Sequence, residues 1–192
     1  ADPINSGWYI DGGVQSFYPL GTGSRNITPN AWHHIVMVGN GSSISYYLDG
    51  TSDGGTTVAT SGVWESLGTD TPGGDNDYMD GSEDDVRIYN RALSAVEIRQ
   101  LYNIGSAKAS VTPSTDPLKA GLVGWWTFDG KDTNWSSGTT IDLSGNGNTG
   151  HMIGMSTTTG TIAGKLGQAF LFDGSGANVN MGNTPSLSVV AS

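Results

Sequence analysis

The side chains of this sequence best equipped for chemistry are its clustered acids, three histidines and six tryptophans. Glu83-Asp84-Asp85-Val86-Arg87 places three carboxylates side by side, and Asp129 and Asp142 lie in later, turn-rich segments. Cleaving a glycosidic bond takes a pair of carboxylates flanking it. In an extended strand alternate residues share a face, so Glu83, Asp85 and position 87 would form the set. The third position holds Arg87 where a third acid would complete the set, so the acid–base pair within such a set is not supplied. His33 and His34 are neighbours and point to opposite sides of a strand, one inward and one to solvent. His151 lies near no Ser nucleophile signature, so no Ser-His-Asp arrangement emerges. The reading is of a protein that is not an enzyme. A sugar site needs ring faces exposed on loops, where apolar sugar faces can stack. Trp64, Tyr78 and Trp135 stand in polar, turn-rich surroundings and are the ligand-binding candidates. Trp32, Trp125 and Trp126 sit in strand-like segments, where packing in the core is the stronger reading for at least two of them.

The elements that must position these side chains are short strands. Thirty glycines and 14% charged residues in 192 disfavour helical bundles, which avoid glycine and carry charged outer faces. Eighteen acids against eight bases, a net charge of −10, argue against nucleic acid, which requires clustered Lys and Arg. With no cysteine there are no disulfides and no thiolate metal sites. No apolar run is long enough to enter a membrane. Ala1-Asp2-Pro3 reads as an expression remnant, and the chain as a fragment of a longer protein.

An apolar-Asp-Gly unit recurs at Ile10-Asp11-Gly12, Leu48-Asp49-Gly50, Met79-Asp80-Gly81, Phe128-Asp129-Gly130 and Phe172-Asp173-Gly174, a hairpin signal because glycine accepts positive φ. Alternation puts Trp32, His34, Val36 and Val38 on one face of a strand, and Ile44, Tyr46 and Leu48 on one face of the next, with Asn40-Gly41 turning between them. Leu122–Phe128 and Gln168–Phe172 repeat the pattern. Ser94-Ala95-Val96-Glu97 has the form of a capping box, with Leu93 and Ile98 placed as a hydrophobic staple, and Gly105 ends the helix. Residues 106–118 hold no hydrophobic period and contain Pro113 and Pro117, so they read as a linker. Short strands at this spacing make an all-β, two-sheet antiparallel sandwich with one short helix near 94–104.

Asp84-Asp85-Val86-Arg87-Ile88-Tyr89-Asn90-Arg91-Ala92-Leu93-Ser94, continuing through Glu97-Ile98 to Leu101-Tyr102, resembles the closing strand and helix of laminin-G-like modules, a bacterial surface-protein type of concanavalin A-like jelly roll. Trp32-His33-His34-Ile35-Val36 and Tyr46-Tyr47-Leu48-Asp49-Gly50 resemble the two strands before that ending. Gly121-Leu122-Val123-Gly124-Trp125-Trp126-Thr127-Phe128-Asp129 resembles the module's opening, followed by Asp142–Asn148 and Ala169–Gly174. The order is permuted: residues 1–105 resemble a C-terminal half and 119–192 an N-terminal half, as if cut from tandem repeats.

The resemblance implies a non-catalytic extracellular or cell-surface module for adhesion or carbohydrate binding, with a glycan or a cell-surface protein as partner. The alternative is a structural repeat of a surface fibre with no ligand of its own. It implies that the halves pack as one permuted sandwich, leaving a groove beside Leu187 and Val189 for self-association through an open sheet edge. It also brings the motifs of Asp84, Asp85, Asp129 and Asp142 together. Oxygen ligands from separate loops suit Ca²⁺, which takes 6–8 of them, and Asp85 and Asp129 are the first candidates. The compact Asp-x-Asp-x-Asp-Gly calcium loop is missing, and each acid alone also reads as a turn former.

Overall fold

The structure, a computed structural model, describes residues 7–11, 14–18, 21–57, 61–63, 65–69, 78–104, 117–158 and 160–190, with side chains described from residue 23 onward in most of these stretches. In chain order the first strands are β1 (Gly7–Asp11), β2 (Val14–Tyr18), β3 (Gly21–Asn26), β4 (Ile35–Gly39), β5 (Ile44–Leu48), β6 (Thr51–Thr56), β7 (Ser61–Val63), β8 (Ser66–Leu67), β9 (Asp80–Glu83) and β10 (Val86–Tyr89). The helix α1 (Ala95–Ile104) comes next. The remaining strands are β11 (Leu122–Trp126), β12 (Thr133–Asn134), β13 (Thr139–Thr140), β14 (Gly150–Ile153), β15 (Thr161–Ala163), β16 (Gln168–Asp173), β17 (Asn178–Asn180) and β18 (Ser188–Val190). The protein is all-β, with one α-helix among the described residues, and the strand pairings among those residues are antiparallel.

The chain divides into two compact units that do not follow the linker: residues 1–62, 91–121 and 189–192 in one, 63–90 and 122–188 in the other. In the first unit β1-β2-β3 and β4-β5-β6 form two meanders. The alternation of β5 is realised, with Ile44, Tyr46 and Leu48 at 1% exposure or less. The buried Asp53 carboxylate accepts the backbone N–H of Ser24 (3.2 Å) and of Arg25 (2.8 Å), tying β6 to β3 through a side chain. The helix starts as its residues dictate. Ser94 N–H donates to Glu97 Oε2 at 2.8 Å and Glu97 N–H to Ser94 Oγ at 3.3 Å, the reciprocal capping box. Ile98 is fully buried. Tyr102 lies over the β5–β6 turn, where a Cβ on Gly50 would come within 3.1 Å of the tyrosine Cβ, at a φ of +70°.

The second unit holds β12-β13-β14-β17-β8, β15-β16-β9 and the pair β10-β11. Trp126 from β11, Phe170 and Phe172 from β16, and Val179 from β17 meet in one buried core with Phe128, Met181 and Leu187. Phe128 stacks on Phe170 at 4.3 Å between ring centroids. Strands on either side of the linker pair within this unit: Val86 opposes Trp126, and Phe170 opposes Glu83.

Three local expectations change. Asp80-Gly81 is no turn; it lies inside β9, opposite Asp173 and Phe172. The last two residues of the expected linker, Pro117 and Leu118, lie in a 3₁₀ turn (Pro117–Lys119) that buries Leu118. Leu187 is fully buried in the core, so it lines no open groove. Gly105 and residues 106–116 lie outside the described residues, and nothing is described of the Val189 side chain.

Candidate functional site

The acids converge, but mainly on backbone. Asp142 opens a tight loop in which its Oδ1 accepts the N–H of Trp125 (2.9 Å) and of Ser144 (2.8 Å), and its Oδ2 accepts Ser144 Oγ (2.8 Å) and Asn148 N–H (3.0 Å). Asn148, 3% exposed, continues the clip by donating from Nδ2 to Val123 O and accepting Thr184 and Ser186 hydroxyls at Oδ1. Four donors saturate the Asp142 carboxylate.

Asp84 and Asp129 meet at a different turn. Asp84 Oδ2 accepts Leu166 N–H at 2.7 Å and Asp129 Oδ1 accepts Gln168 N–H at 2.9 Å. A Cβ on Gly167, at a φ of +74°, would lie 2.2 Å from Asp129 Oδ1, so only glycine lets the backbone approach this carboxylate. Asp129 Oδ2 also faces Lys131 Nζ at 3.5 Å. Asp84 Oδ1 is shut off from solvent without a hydrogen-bond partner. Burial first, with the charges of Asp85 and Asp129 adding to it against the Leu166 hydrogen bond, pushes the Asp84 carboxyl up to about 6. Burial pushes Glu83, whose Oε2 also has no partner, up to about 7.

Asp85 does not extend a strand. Its φ is +53° and it separates β9 from β10, so Glu83, Asp85 and Arg87 do not share a face by alternation. The Asp85 carboxylate instead accepts Trp125 Nε1–H at 2.5 Å and Arg87 Nη2–H at 3.0 Å. The Arg87 guanidinium lies 4.6 Å from the centroid of the Trp125 ring it covers, a cation–π arrangement.

A calcium ion shared by Asp84, Asp85, Asp129 and Asp142 does not fit this geometry. Asp85 and Asp142 are committed to protein donors, and no group of three acids or histidines suited to a metal occurs among the described residues. Asp84, through its partnerless Oδ1, and Asp129 are the two with acceptor capacity left.

The His33 ring is likewise engaged. His33 Nδ1 meets Asp49 Oδ2 at 2.9 Å and its Nε2 meets Thr28 O at 3.1 Å, while Asp49 Oδ1 accepts His34 N–H at 3.0 Å. A carbonyl only accepts, so Nε2 carries the proton and offers no lone pair as a base. His151 is exposed on β14.

Of the aromatic candidates, Trp135 is half-buried, its ring tilted on Phe170 at 5.7 Å and packed against the core. Tyr78 is half-buried in a bridge to Thr69, and Trp64 lies outside the described residues. Trp126 is core, at 0% exposure. Among the described residues the exposed indole is Trp32, at 39%. Sequence reading placed it on the shared face of a strand, but β4 begins only at Ile35. The signal that would have found it is Pro29-Asn30 just upstream, turn-forming residue types that the structure does use as a turn, with Asn30 at φ +60°.

A family model described as the concanavalin A-like lectin/glucanases superfamily matches residues 4–99, half of the chain. No curated protein matches. Among solved structures, the chain is similar to an S-layer domain-containing protein (residues 221–444) from Clostridium thermocellum ATCC 27405, at 21% identity and a TM-score of 0.34. That alignment covers 53% of this chain and 65% of the other, less than two thirds of its length.

Proposed function

We propose that this chain, which belongs to the concanavalin A-like lectin/glucanases superfamily, is a non-catalytic binding module of an extracellular or cell-surface protein, taking a glycan or a surface protein as its ligand. The observation that carries the reading is the contrast between committed acids and an exposed indole. Asp49, Asp85 and Asp142 and the ring of His33 each spend their hydrogen-bonding capacity on holding turns, whereas Trp32 presents ring surface to solvent. Aromatic faces of this kind stack on apolar sugar faces. Committed carboxylates are poorly suited to the paired acid and base work of glycoside hydrolysis.

The calcium dependence expected from the sequence is a proposal narrowed to Asp84 and Asp129. No helix among the described residues is long and apolar enough to cross a membrane.

The test is a glycan array followed by calorimetry with the wild type and Trp32→Ala. Binding that weakens by about tenfold, or 1.4 kcal/mol, in the variant supports the reading. No binding to any glycan or surface extract favours a structural repeat. Release of reducing ends from polysaccharide by the purified chain overturns the non-catalytic assignment.

A further inference from the structure

We propose that Asn40 is a site of spontaneous covalent modification, deamidating through a cyclic imide formed with Gly41 in the folded protein. Asn40-Gly41 opens the four-residue loop between β4 and β5, closed by Asn40 N–H donating to Ser43 O at 3.1 Å. Its side-chain oxygen is unusually well supplied with donors. Oδ1 accepts Ser42 N–H (3.1 Å), Ser42 Oγ (3.3 Å), Ser43 N–H (2.9 Å) and Ser43 Oγ (3.0 Å). All four partners donate, which fixes the amide orientation: oxygen toward the loop, nitrogen away from it. The residue is exposed, so water and hydroxide reach it.

In the reaction hydroxide removes the Gly41 amide proton, and that nitrogen attacks Asn40 Cγ. The new N–Cγ bond places negative charge on Oδ1. The Cγ–Nδ2 bond then breaks, Nδ2 takes a proton from water and leaves as ammonia, and a five-membered imide remains. Water opens the imide at either carbonyl, giving aspartate or isoaspartate at position 40. The balance is one water consumed and one ammonia released, with no oxidation or reduction. Donors aimed at the oxygen where charge develops lower the barrier, as in an oxyanion hole. Gly41 has no side chain to shield its nitrogen.

Asn146-Gly147 is the internal control, because its hydrogen bonds run the opposite way. Asn146 Nδ2 donates to Leu122 O at 3.2 Å and to Ser144 Oγ at 3.0 Å. Those contacts hold the leaving group and put no donor on the carbonyl. The same dipeptide is therefore primed in one loop and restrained in the other.

The experiment is peptide mapping by mass spectrometry after incubation at mildly alkaline pH, with the chain folded and in urea. Folded Asn40 should lose its amide at least as fast as in urea, and faster as pH rises, whereas folded Asn146 should be about tenfold or more slower than in urea, a barrier difference of about 1.4 kcal/mol. Removing one donor from a buried enzymic oxyanion hole slows reaction by about 100-fold or more. For two hydroxyls in an exposed loop, Ser42→Ala/Ser43→Ala should slow Asn40 by about threefold or more. The proposal fails if folded Asn40 reacts more slowly than in urea, or if the double variant reacts equally fast or faster. Should that variant not fold, the wild-type comparison of folded and urea-treated chain decides alone.

Discussion

Two buried acidic corners of the second unit make opposite use of the same functional group. In the Asp142–Asn148 loop a carboxylate at 7% exposure is met by four donors. At the end of β9, Glu83 and Asp84 each keep one oxygen cut off from water with no partner. Burial alone is therefore not what decides whether an acid stabilises. A carboxylate surrounded by N–H groups exchanges water for stronger, charge-assisted bonds, whereas one facing apolar side chains loses hydration and gains nothing.

The largest effect should come from breaking the supplied corner. Asp142→Ala strips acceptors from Trp125 N–H, Ser144 and Asn148 N–H at once, leaving buried donors unsatisfied. Hydrogen bonds to charged groups are each worth about 1.5–3 kcal/mol, and they act as one network, so a loss of about 3–4 kcal/mol is expected by denaturant unfolding. A loss under about 1 kcal/mol would mean that the loop holds itself without its carboxylate.

The starved corner should respond with the opposite sign, and with pH. Glu83 lies opposite Phe170 in the β9–β16 pair, and its ionisation is displaced from 4.5 to about 7. A raised carboxyl favours the folded state while protonated. Its contribution is intact below about 4.5, declines as pH rises, and is lost above about 7. Stability should therefore fall across that window by at most about 3 kcal/mol. Glu83→Gln should flatten this limb and gain about 1–2 kcal/mol at pH 8. A wild type whose melting temperature is level between pH 5 and 8 would show that Glu83 finds a partner in solution.

Asp84 sharpens the contrast further, since it has one donor and lacks another. Asp84→Asn should gain about 1 kcal/mol at pH 8 in chelator, because the displaced charge disappears while the Leu166 N–H keeps an acceptor. If calcium occupies the free oxygen, added Ca²⁺ should raise the wild-type melting temperature and not that of the variant. Identical wild-type melts with calcium and with chelator would remove the ion from the proposal.

These corners also mark where sequence reading succeeds and where it stops. The Ser94–Glu97 cap and the buried face of β5 were legible because their partners lie three or two residues apart, within one element. Trp126 and the Phe170–Phe172 pair followed from period-two alternation. The Asp84–Leu166 and Asp129–Gln168 bonds span 82 and 39 residues, and no local pattern announces which distant N–H a carboxylate will meet. Alternation places Asp85 in a strand, but the structure turns the chain there at positive φ and orients its side chain toward Trp125 and Arg87. The expected four-residue calcium set meets the same limit: no local pattern shows that Asp85 and Asp142 already have protein donors.

The smallest effect isolates donors from burial. Glu97 has donors in abundance: the Arg91 guanidinium at 2.6 and 3.1 Å, then Ser94 N–H and Oγ. It is not sealed in the core, and the Arg91 hydrogen bonds above all hold its carboxyl down to about 2. A depressed carboxyl contributes above its unfolded value of 4.5, and that contribution is lost as pH falls toward about 2. The sign is thus opposite to Glu83, although both are glutamates of one chain. Solvent screens the pair, so the acid limb should be worth under about 1 kcal/mol. Ser94→Ala, which removes the hydroxyl from both sides of the capping box, should cost about 1 kcal/mol and leave the Glu83 limb untouched. Were Ser94→Ala to flatten the melt between pH 5 and 8, the two acids would be coupled, and the division between supplied and starved carboxylates would no longer hold residue by residue.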